Sequence, residues 1–112
     1  MLNITQLLVD ARRCEGDLND AVGLGEALRS AVLAVGAKPV GELVTRFVPH
    51  GVTVAYILAE SHVVLSTWPE HHLALLDVLL CHPGMEPEQI WTALAPRLGA
   101  REVIQTRLQR AP

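Results

Sequence analysis

The sequence predicts an α+β fold, a two-layer sandwich in which a mainly antiparallel sheet carries two helices on one face. Segments rich in β-branched and aliphatic residues outnumber segments with helical spacing. The two helical segments are far apart, one in each half of the chain, and runs of strands stand between and beside them. These observations give the expected order β-α-β-β-β-β-α-β.

The first part of the chain is expected to hold two strands and a helix. Residues 4–10 form a short apolar run with β-branched members, which is typical of a strand. Residues 17–36 place apolar side chains at three- and four-residue steps, which predicts a helix. Either Asp17 or Asn19 can cap the start of this helix. Residues 39–48 alternate loosely between apolar and polar side chains and are predicted as a strand.

The remaining segments predict four strands and the second helix. Residues 52–59 and 62–68 are rich in strand-forming residues, and the two polar residues between them indicate a tight connection. Residues 73–81 are almost continuously apolar, which fits a strand or a buried helix; the strand completes the order above. Residues 86–98 favour a helix, and residues 101–108 alternate as a final strand.

Composition indicates one compact domain with a surplus of aliphatic side chains. The chain has 112 residues, a length that fits a single domain, 1–112. Half of the residues are hydrophobic but only 4% are aromatic. A domain of this size buries only about two-thirds of the surface of its unfolded chain. Part of the aliphatic surface is therefore expected to be buried between subunits.

Charge and hydropathy exclude several classes of protein. The net charge is −3 and the basic residues are scattered, so a nucleic-acid partner is not expected. The longest stretch without Asp, Glu, Lys or Arg lies between Arg46 and Glu60 and is too short to cross a bilayer. The N-terminus lacks the pattern of a secretory signal, which predicts a cytoplasmic protein. Cys14 and Cys81 are therefore expected to be free thiols.

The densest polar cluster in apolar surroundings is the tripeptide Glu60-Ser61-His62, between two predicted strands. An exposed hairpin turn is the ordinary explanation, because buried polar groups cost free energy unless they are paired. The Ser-His dipeptide does not indicate a hydrolase, because neighbouring strand residues point to opposite faces of a sheet. The chain also lacks a G-x-S-x-G nucleophile elbow.

Residues 59–70, AESHVVLSTWPE, resemble the signature of the bacterial S-adenosylmethionine decarboxylase proenzymes. That signature reads Glu-Ser-His, three residues, then His-Thr-Trp-Pro-Glu. Residues 47–52, FVPHGV, resemble the Phe-x-Pro-x-Gly-Val segment of the same family, and Asp77 and Cys81 match an Asp and a Cys at the same spacing downstream. The resemblance covers nearly the whole chain.

The resemblance implies that the chain cleaves itself between Glu60 and Ser61, giving chains 1–60 and 61–112. In this family the serine hydroxyl attacks the preceding carbonyl, and β-elimination from the resulting ester leaves a pyruvoyl group on the new N-terminus. A pyruvoyl group forms a Schiff base with the substrate amine and takes up the electrons that decarboxylation releases. Neither pyridoxal phosphate nor a metal is then expected.

The resemblance also implies roles for other positions. Cys81 matches the thiol that returns a proton to the substrate carbon and assists processing. Phe47 matches the ring that stacks on adenine, and Glu70 matches the carboxylate that holds the ribose hydroxyls. Thr53 stands where the family has a processing serine, and Ser66 stands where it has a processing histidine. Trp68 is expected to be a core residue.

Ser66 is the main departure from the family pattern, because elimination favours a base with a pKa near neutral and a hydroxyl is a poor one. His62 or His50 is a candidate to supply that base. Three hypotheses follow. The chain decarboxylates S-adenosylmethionine for polyamine (spermidine) synthesis, it acts on arginine or ornithine with the same chemistry, or it is an unprocessed, non-enzymatic paralogue that binds a ligand or a partner.

Two further expectations concern assembly and metals. The resemblance implies a homodimer in which two sheets pack face to face between helical layers and a small-molecule substrate is bound. A metal site built from His71, His72, Cys81 and His82 is a separate hypothesis. The spacing of these residues matches no standard zinc pattern, so it ranks below the pyruvoyl hypothesis.

Overall fold

The computed structural model describes residues 2–112. Within this range the chain forms six strands and two α-helices in the predicted order. Their bounds are β1 (Ile4–Cys14), α1 (Ala21–Ala34), β2 (Pro39–Arg46), β3 (Val52–Leu58), β4 (Ser61–Trp68), β5 (Leu73–Leu80), α2 (Pro87–Leu98) and β6 (Ala100–Arg110). One turn of 3₁₀ helix, Pro69–His71, connects β4 to β5.

The strands form one antiparallel sheet in the order β2-β3-β4-β5-β1-β6. The apolar segment at 73–81 is a strand, and its residues alternate between buried and partly buried. Such alternation is typical of a sheet that is covered on one face only. The predicted α+β class and the predicted order of elements are confirmed.

Both helices pack on the same face of the sheet and enclose an aliphatic core. Alternate residues of β3, β4 and β5 are buried against them. Tyr56 of β3 reaches α1, where its hydroxyl donates a 2.9 Å hydrogen bond to the carbonyl of Gly25, and burial raises the pKa of this phenol. The guanidinium of Arg97 in α2 donates to the carboxylate of Asp20, which ties the two helices together.

Helix α1 begins later than predicted. Asp20 is its N-cap, and its carboxylate accepts a 3.0 Å hydrogen bond from the backbone N–H of Gly23. Neither Asp17 nor Asn19 caps the helix, so that prediction is wrong. Asp17 instead accepts a hydrogen bond from the backbone N–H of Asn19, and the amide oxygen of Asn19 accepts one from the backbone N–H of Gly51.

The opposite face of the sheet, here called the open face, carries no helix within residues 2–112. Partly exposed aliphatic side chains such as Leu8, Val64 and Leu75 lie on it around Asp77, which accepts a 3.0 Å hydrogen bond from the amide of Gln6. A groove of about 420 Å³ runs between Asp77 and Trp68.

No helix in the described residues is long and apolar enough to span a bilayer.

Candidate active site

The peptide bond between Glu60 and Ser61 lies at the tip of the β3–β4 hairpin. Ser61 pairs with Leu58, so Ala59 and Glu60 form the turn. Glu60 has a φ of +59°, in the left-handed region. That conformation costs a residue with a side chain about 1 kcal/mol. Backbone strain of this kind persists where the surrounding structure holds it, and it clusters at functional sites.

Cys81 directly follows β5 and lies beside the start of β4. Its backbone N–H donates a 3.2 Å hydrogen bond to Ser61 Oγ, and that hydroxyl is directed at Cys81 Sγ at 3.6 Å. The thiol in turn donates to the carbonyl oxygen of Glu60 at 3.3 Å. The processing cluster (Glu60, Ser61 and Cys81) thus joins a nucleophile, the carbonyl next to it and a donor to that carbonyl.

The surroundings of the processing cluster leave room for a ligand. A cavity of about 440 Å³ opens beside Cys81, and His82, Met85 and Glu86 contribute to its wall.

The second cysteine, Cys14, has a different environment. Cys14 is buried, and burial raises the pKa of its thiol, which disfavours the reactive thiolate form. Both cysteines are free thiols, as predicted.

A second group of side chains lies near the other end of the same hairpin. It lines a cavity of about 250 Å³. This distal cluster consists of Phe47, His50, Thr53, Ser66, Trp68 and Glu70. Thr53 and Ser66 face each other across β3 and β4, and their hydroxyl oxygens are 3.2 Å apart in a hydrogen bond.

The turn before β3 positions the distal cluster. Gly51 is buried with a φ of +112°, and a Cβ on it would lie 3.2 Å from the carbonyl oxygen of Thr67. A residue with a side chain would therefore be strained both in its backbone and against β4. Glycine lets the chain turn tightly here, and the turn places Phe47 and His50 at the rim of the cavity.

The structure separates residues that the sequence grouped into one site. Ser61 and Ser66 stand five residues apart on β4, about 17 Å at the usual rise per strand residue. The processing cluster and the distal cluster therefore lie at opposite ends of the hairpin in one chain. Neither Ser66 nor Thr53 can touch the bond between Glu60 and Ser61 of the same chain.

Neither of the two histidines considered as bases is hydrogen-bonded to Ser61 within one chain, although His62 directly follows it in the sequence. His62 is on the open face and pairs with Ile57 and Leu79. His50 belongs to the distal cluster and faces Glu70. Within one chain, neither is in contact with the Ser61 hydroxyl.

Trp68 is not a core residue, so that prediction is wrong. Its side chain is 38% exposed and lines the distal cavity beside Phe47. The position of Trp68 in the sequence could have indicated this exposure, because Trp68 ends β4 and directly precedes the Pro69–His71 turn. Side chains at a strand end next to a turn are often only partly covered.

The histidines of the metal hypothesis do not converge. His71 and His72 are exposed on the turn between β4 and β5, and the His82 Nδ1 atom lies 2.9 Å from the carbonyl of Pro83. Across residues 2–112, no three His, Cys, Asp or Glu side chains are arranged to hold a metal ion.

The fold and the clusters describe a small α+β protein with reactive groups at a hairpin tip. The chain belongs to the S-adenosylmethionine decarboxylase family, whose sequence profile matches residues 5–111. The resemblance noted in residues 59–70 is thereby confirmed.

Individual relatives agree with this assignment. The chain is 32% identical to the S-adenosylmethionine decarboxylase proenzyme of Acidithiobacillus ferrooxidans over 106 residues, 94% of this chain and 80% of that protein. It is 38% identical to the Prochlorococcus marinus proenzyme of the same name over 93 residues, 83% of this chain and 74% of that one. The crystal structure of the adenosylmethionine decarboxylase from Aquifex aeolicus superposes with a TM-score of 0.87 at 26% identity, covering 99% of this chain and 92% of that one.

Proposed function

We propose that this chain is a proenzyme that cleaves itself at Ser61 and then decarboxylates S-adenosylmethionine, giving the aminopropyl donor of polyamine synthesis. The observation that carries the proposal is the hydrogen-bonded processing cluster around the bond between Glu60 and Ser61. Membership of the S-adenosylmethionine decarboxylase family indicates which substrate the chain uses. The cluster supplies groups that suit the chemistry.

In the first step the Ser61 oxygen bonds to the Glu60 carbonyl carbon, and the peptide C–N bond breaks to give an ester and a free amine. The Cys81 thiol lies on the carbonyl oxygen, where negative charge develops in the transition state. Breaking the bond also relieves the left-handed backbone of Glu60. β-Elimination then removes a proton from Cα of Ser61 and expels the Glu60 carboxylate. Water replaces ammonia at the resulting unsaturated residue and leaves a pyruvoyl group.

The surroundings of residue 61 fit such a group. Residue 61 begins β4, Cys81 is within hydrogen-bond distance of it, and the adjoining cavity of about 440 Å³ has room for part of a substrate. When present, the pyruvoyl group supplies the electron sink that decarboxylation requires. The Cys81 thiol is placed to donate a proton to a substrate carbon held at residue 61.

The site becomes complete in a homodimer. In one chain about 17 Å of strand separates Ser61 from Ser66, so Phe47 and Glu70 cannot serve a substrate held at Ser61 of the same chain. A two-fold axis through the open face would set the distal cluster of one chain against the processing cluster of the other. The large apolar side chains exposed on that face favour such packing. They include Leu43, Ile57, Ile104 and Leu108.

A second function has one observation in its favour. Ser66 is hydrogen-bonded to Thr53, so the distal cluster offers a pair of hydroxyls where a processing histidine is expected. A chain that cannot complete elimination would remain whole and would act by binding a ligand or a partner. This is the alternative to the decarboxylase.

Intact-mass spectrometry of the purified protein separates the two functions. The decarboxylase should appear as fragments 1–60 and 61–112, the second with a blocked N-terminus, and Ser61→Ala should remain whole. CO₂ release from S-adenosylmethionine, ornithine and arginine then identifies the substrate. A wild-type chain that stays full length after long incubation contradicts the decarboxylase and supports the binding paralogue.

A further inference from the structure

His50 and Glu70 form a pair in the lining of the distal cavity. His50 Nε2 and Glu70 Oε2 are at ion-pair distance, although the ring and the carboxylate are not in hydrogen-bond alignment. The side chains are 34% and 40% exposed, yet the Nε2 atom itself is shielded from solvent. The imidazole therefore presents this nitrogen to the carboxylate rather than to water.

Both partners stand on turns that the rest of the fold holds in place. The His50 turn is closed by a 2.9 Å hydrogen bond from the N–H of Phe47 to the carbonyl of Gly51, and Asn19 accepts from the N–H of Gly51 at 2.8 Å. The Glu70 turn is closed by a 3.1 Å hydrogen bond from the N–H of His72 to the carbonyl of Pro69. The positions of the two backbones are thus set independently of any ligand.

We propose that His50 is a positioning residue that holds the Glu70 carboxylate ready to accept the ribose hydroxyls of the substrate. This inference rests on the proposed function and on the ribose role that the family resemblance implies for Glu70. An imidazole at one carboxylate oxygen restricts rotation of the side chain and leaves the other oxygen for the ligand. Phe47 and Trp68 line the same cavity. A nucleoside bound there would therefore contact both the aromatic side chains and the Glu70 carboxylate that His50 holds in place.

The expected effect is on binding rather than on chemistry. Ordering a flexible side chain at a binding site costs free energy, and loss of the anchor moves that cost into the binding step. Removing the imidazole should therefore weaken substrate binding about two- to tenfold. Self-cleavage and the decarboxylation step occur at residue 61. In the proposed dimer the distal cluster approaches the partner's processing cluster, but His50 and Glu70 lie on turns outside the strands that carry the processing positions Thr53 and Ser66.

The test compares His50→Leu, His50→Gln and the matched control His71→Leu. His71 is exposed on the same turn as Glu70 and does not line the cavity. In the processed enzyme, His50→Leu should raise KM for S-adenosylmethionine about two- to tenfold and change kcat by less than that. His50→Gln, which retains a donor, should recover most of the affinity. His71→Leu should keep the wild-type KM.

Calorimetry with 5′-methylthioadenosine and its 2′-deoxy analogue gives a second measurement. Removal of the hydroxyl should cost the wild type more affinity than it costs His50→Leu. The role of His50 is overturned if His50→Leu has the wild-type KM. It is also overturned if removal of the 2′-hydroxyl costs the wild type and His50→Leu the same affinity. A processed wild type that releases no CO₂ from S-adenosylmethionine overturns the proposed function, and this inference with it.

Discussion

The sulfur of Cys81 lies 3.3 Å from the carbonyl oxygen of Glu60, across the gap between the end of β5 and the β3–β4 hairpin tip. The same cysteine donates its backbone N–H to the Ser61 hydroxyl. One residue therefore contacts both groups that the proposed cleavage joins, and this geometry leads to the first prediction.

Replacing Cys81 with alanine should slow cleavage by up to about 10²-fold, because the donor to the developing oxyanion is lost. A thiol is a weak donor, so the loss should stay near the low end of the values known for oxyanion sites. Cys81→Ser retains a donor and should cleave at an intermediate rate. The fraction of intact chain is followed by gel or mass spectrometry over time. Cys14→Ala is the control and should cleave at the wild-type rate; equal rates for both alanine variants would contradict the assignment.

Replacing Ser66 with histidine should speed cleavage about tenfold or more, because a side chain that titrates near neutral pH is a better base than a hydroxyl. Within one chain Ser66 cannot reach Ser61, so the effect should act across the dimer. A chain carrying both Ser61→Ala and Ser66→His, co-expressed with the wild type, should accelerate cleavage of the wild-type chain. Ser61→Ala alone is the control. An unchanged rate in the simple Ser66→His variant would show that another group already serves as the base.

Phe47→Ala should raise KM for S-adenosylmethionine about tenfold, because stacking of a base on an aromatic ring contributes about 1–3 kcal/mol. Phe47 is the chain's single phenylalanine and lines the distal cavity. Val48→Ala is the matched control, because Val48 is 97% exposed and lies outside that cavity. Steady-state kinetics of the cleaved proteins measures both. A common KM for the two variants would remove Phe47 from the binding site.

Thr67→Val should destabilise the fold by about 2–3 kcal/mol. The buried Thr67 hydroxyl accepts from the N–H of Val52 at 3.0 Å and donates to the carbonyl of Leu18 at 2.8 Å. Valine has nearly the same shape but leaves both groups without this partner. Urea unfolding of uncleaved Ser61→Ala protein measures the change. Thr92→Val, on the exposed side of α2, should change stability by less than about 0.5 kcal/mol; a similarly small change at Thr67 would contradict the prediction.

The ionised Asp20 carboxylate should stabilise the fold at neutral pH and lose this effect at acid pH. The N–H of Gly23, and with it the guanidinium of Arg97, lowers the pKa of the Asp20 carboxyl from its ordinary value of 3.8. Because the folded state holds the ionised form, this contribution is present above that value and is lost as pH falls through the lower folded pKa. Asp20→Asn keeps the helix cap but loses the charge.

The urea midpoint of Asp20→Asn should therefore lie below that of the wild type at pH 7, and the two midpoints should converge below about pH 4. Both proteins are measured in the uncleaved Ser61→Ala background. Asp17→Asn is the control, because Asp17 accepts only a local hydrogen bond from Asn19. A difference between wild type and Asp20→Asn that stays constant from pH 7 to pH 3 would contradict the linkage.

Hydrophobic periodicity was enough to predict the order of elements, because the sheet is buried on one face and its strands alternate accordingly. It did not predict the ends of the elements. Asp17, Asn19 and Asp20 are all good cap residues, and only the packed structure shows that Asn19 is engaged with Gly51. Strand β1 runs on to Cys14 because Arg12 pairs with Glu102 of β6, a contact between the two ends of the chain.

The candidate site was predicted residue by residue but not in space. The grouping of Ser61 with Cys81 depends on the pairing of β4 with β5, which the hydrophobic pattern does not specify. The separation of Ser61 from Ser66 follows from strand geometry alone and was within reach of the sequence once 62–68 was assigned to a strand. The pair of His50 and Glu70 joins two turns that are distant in the sequence, and no local pattern marks it.

The sheet order has a consequence for the life of the molecule after cleavage. Fragment 1–60 would keep β1, β2 and β3, and fragment 61–112 would keep β4, β5 and β6. Because β1 lies between β5 and β6, the two fragments would be interlocked across three ladders, β3–β4, β5–β1 and β1–β6. The nicked protein should stay together without a covalent link. Once unfolded, however, the cleaved protein could regain this arrangement only if the two separate fragments met again. The proenzyme folds as a single chain, so the stability of the mature form would depend on a slow rate of unfolding.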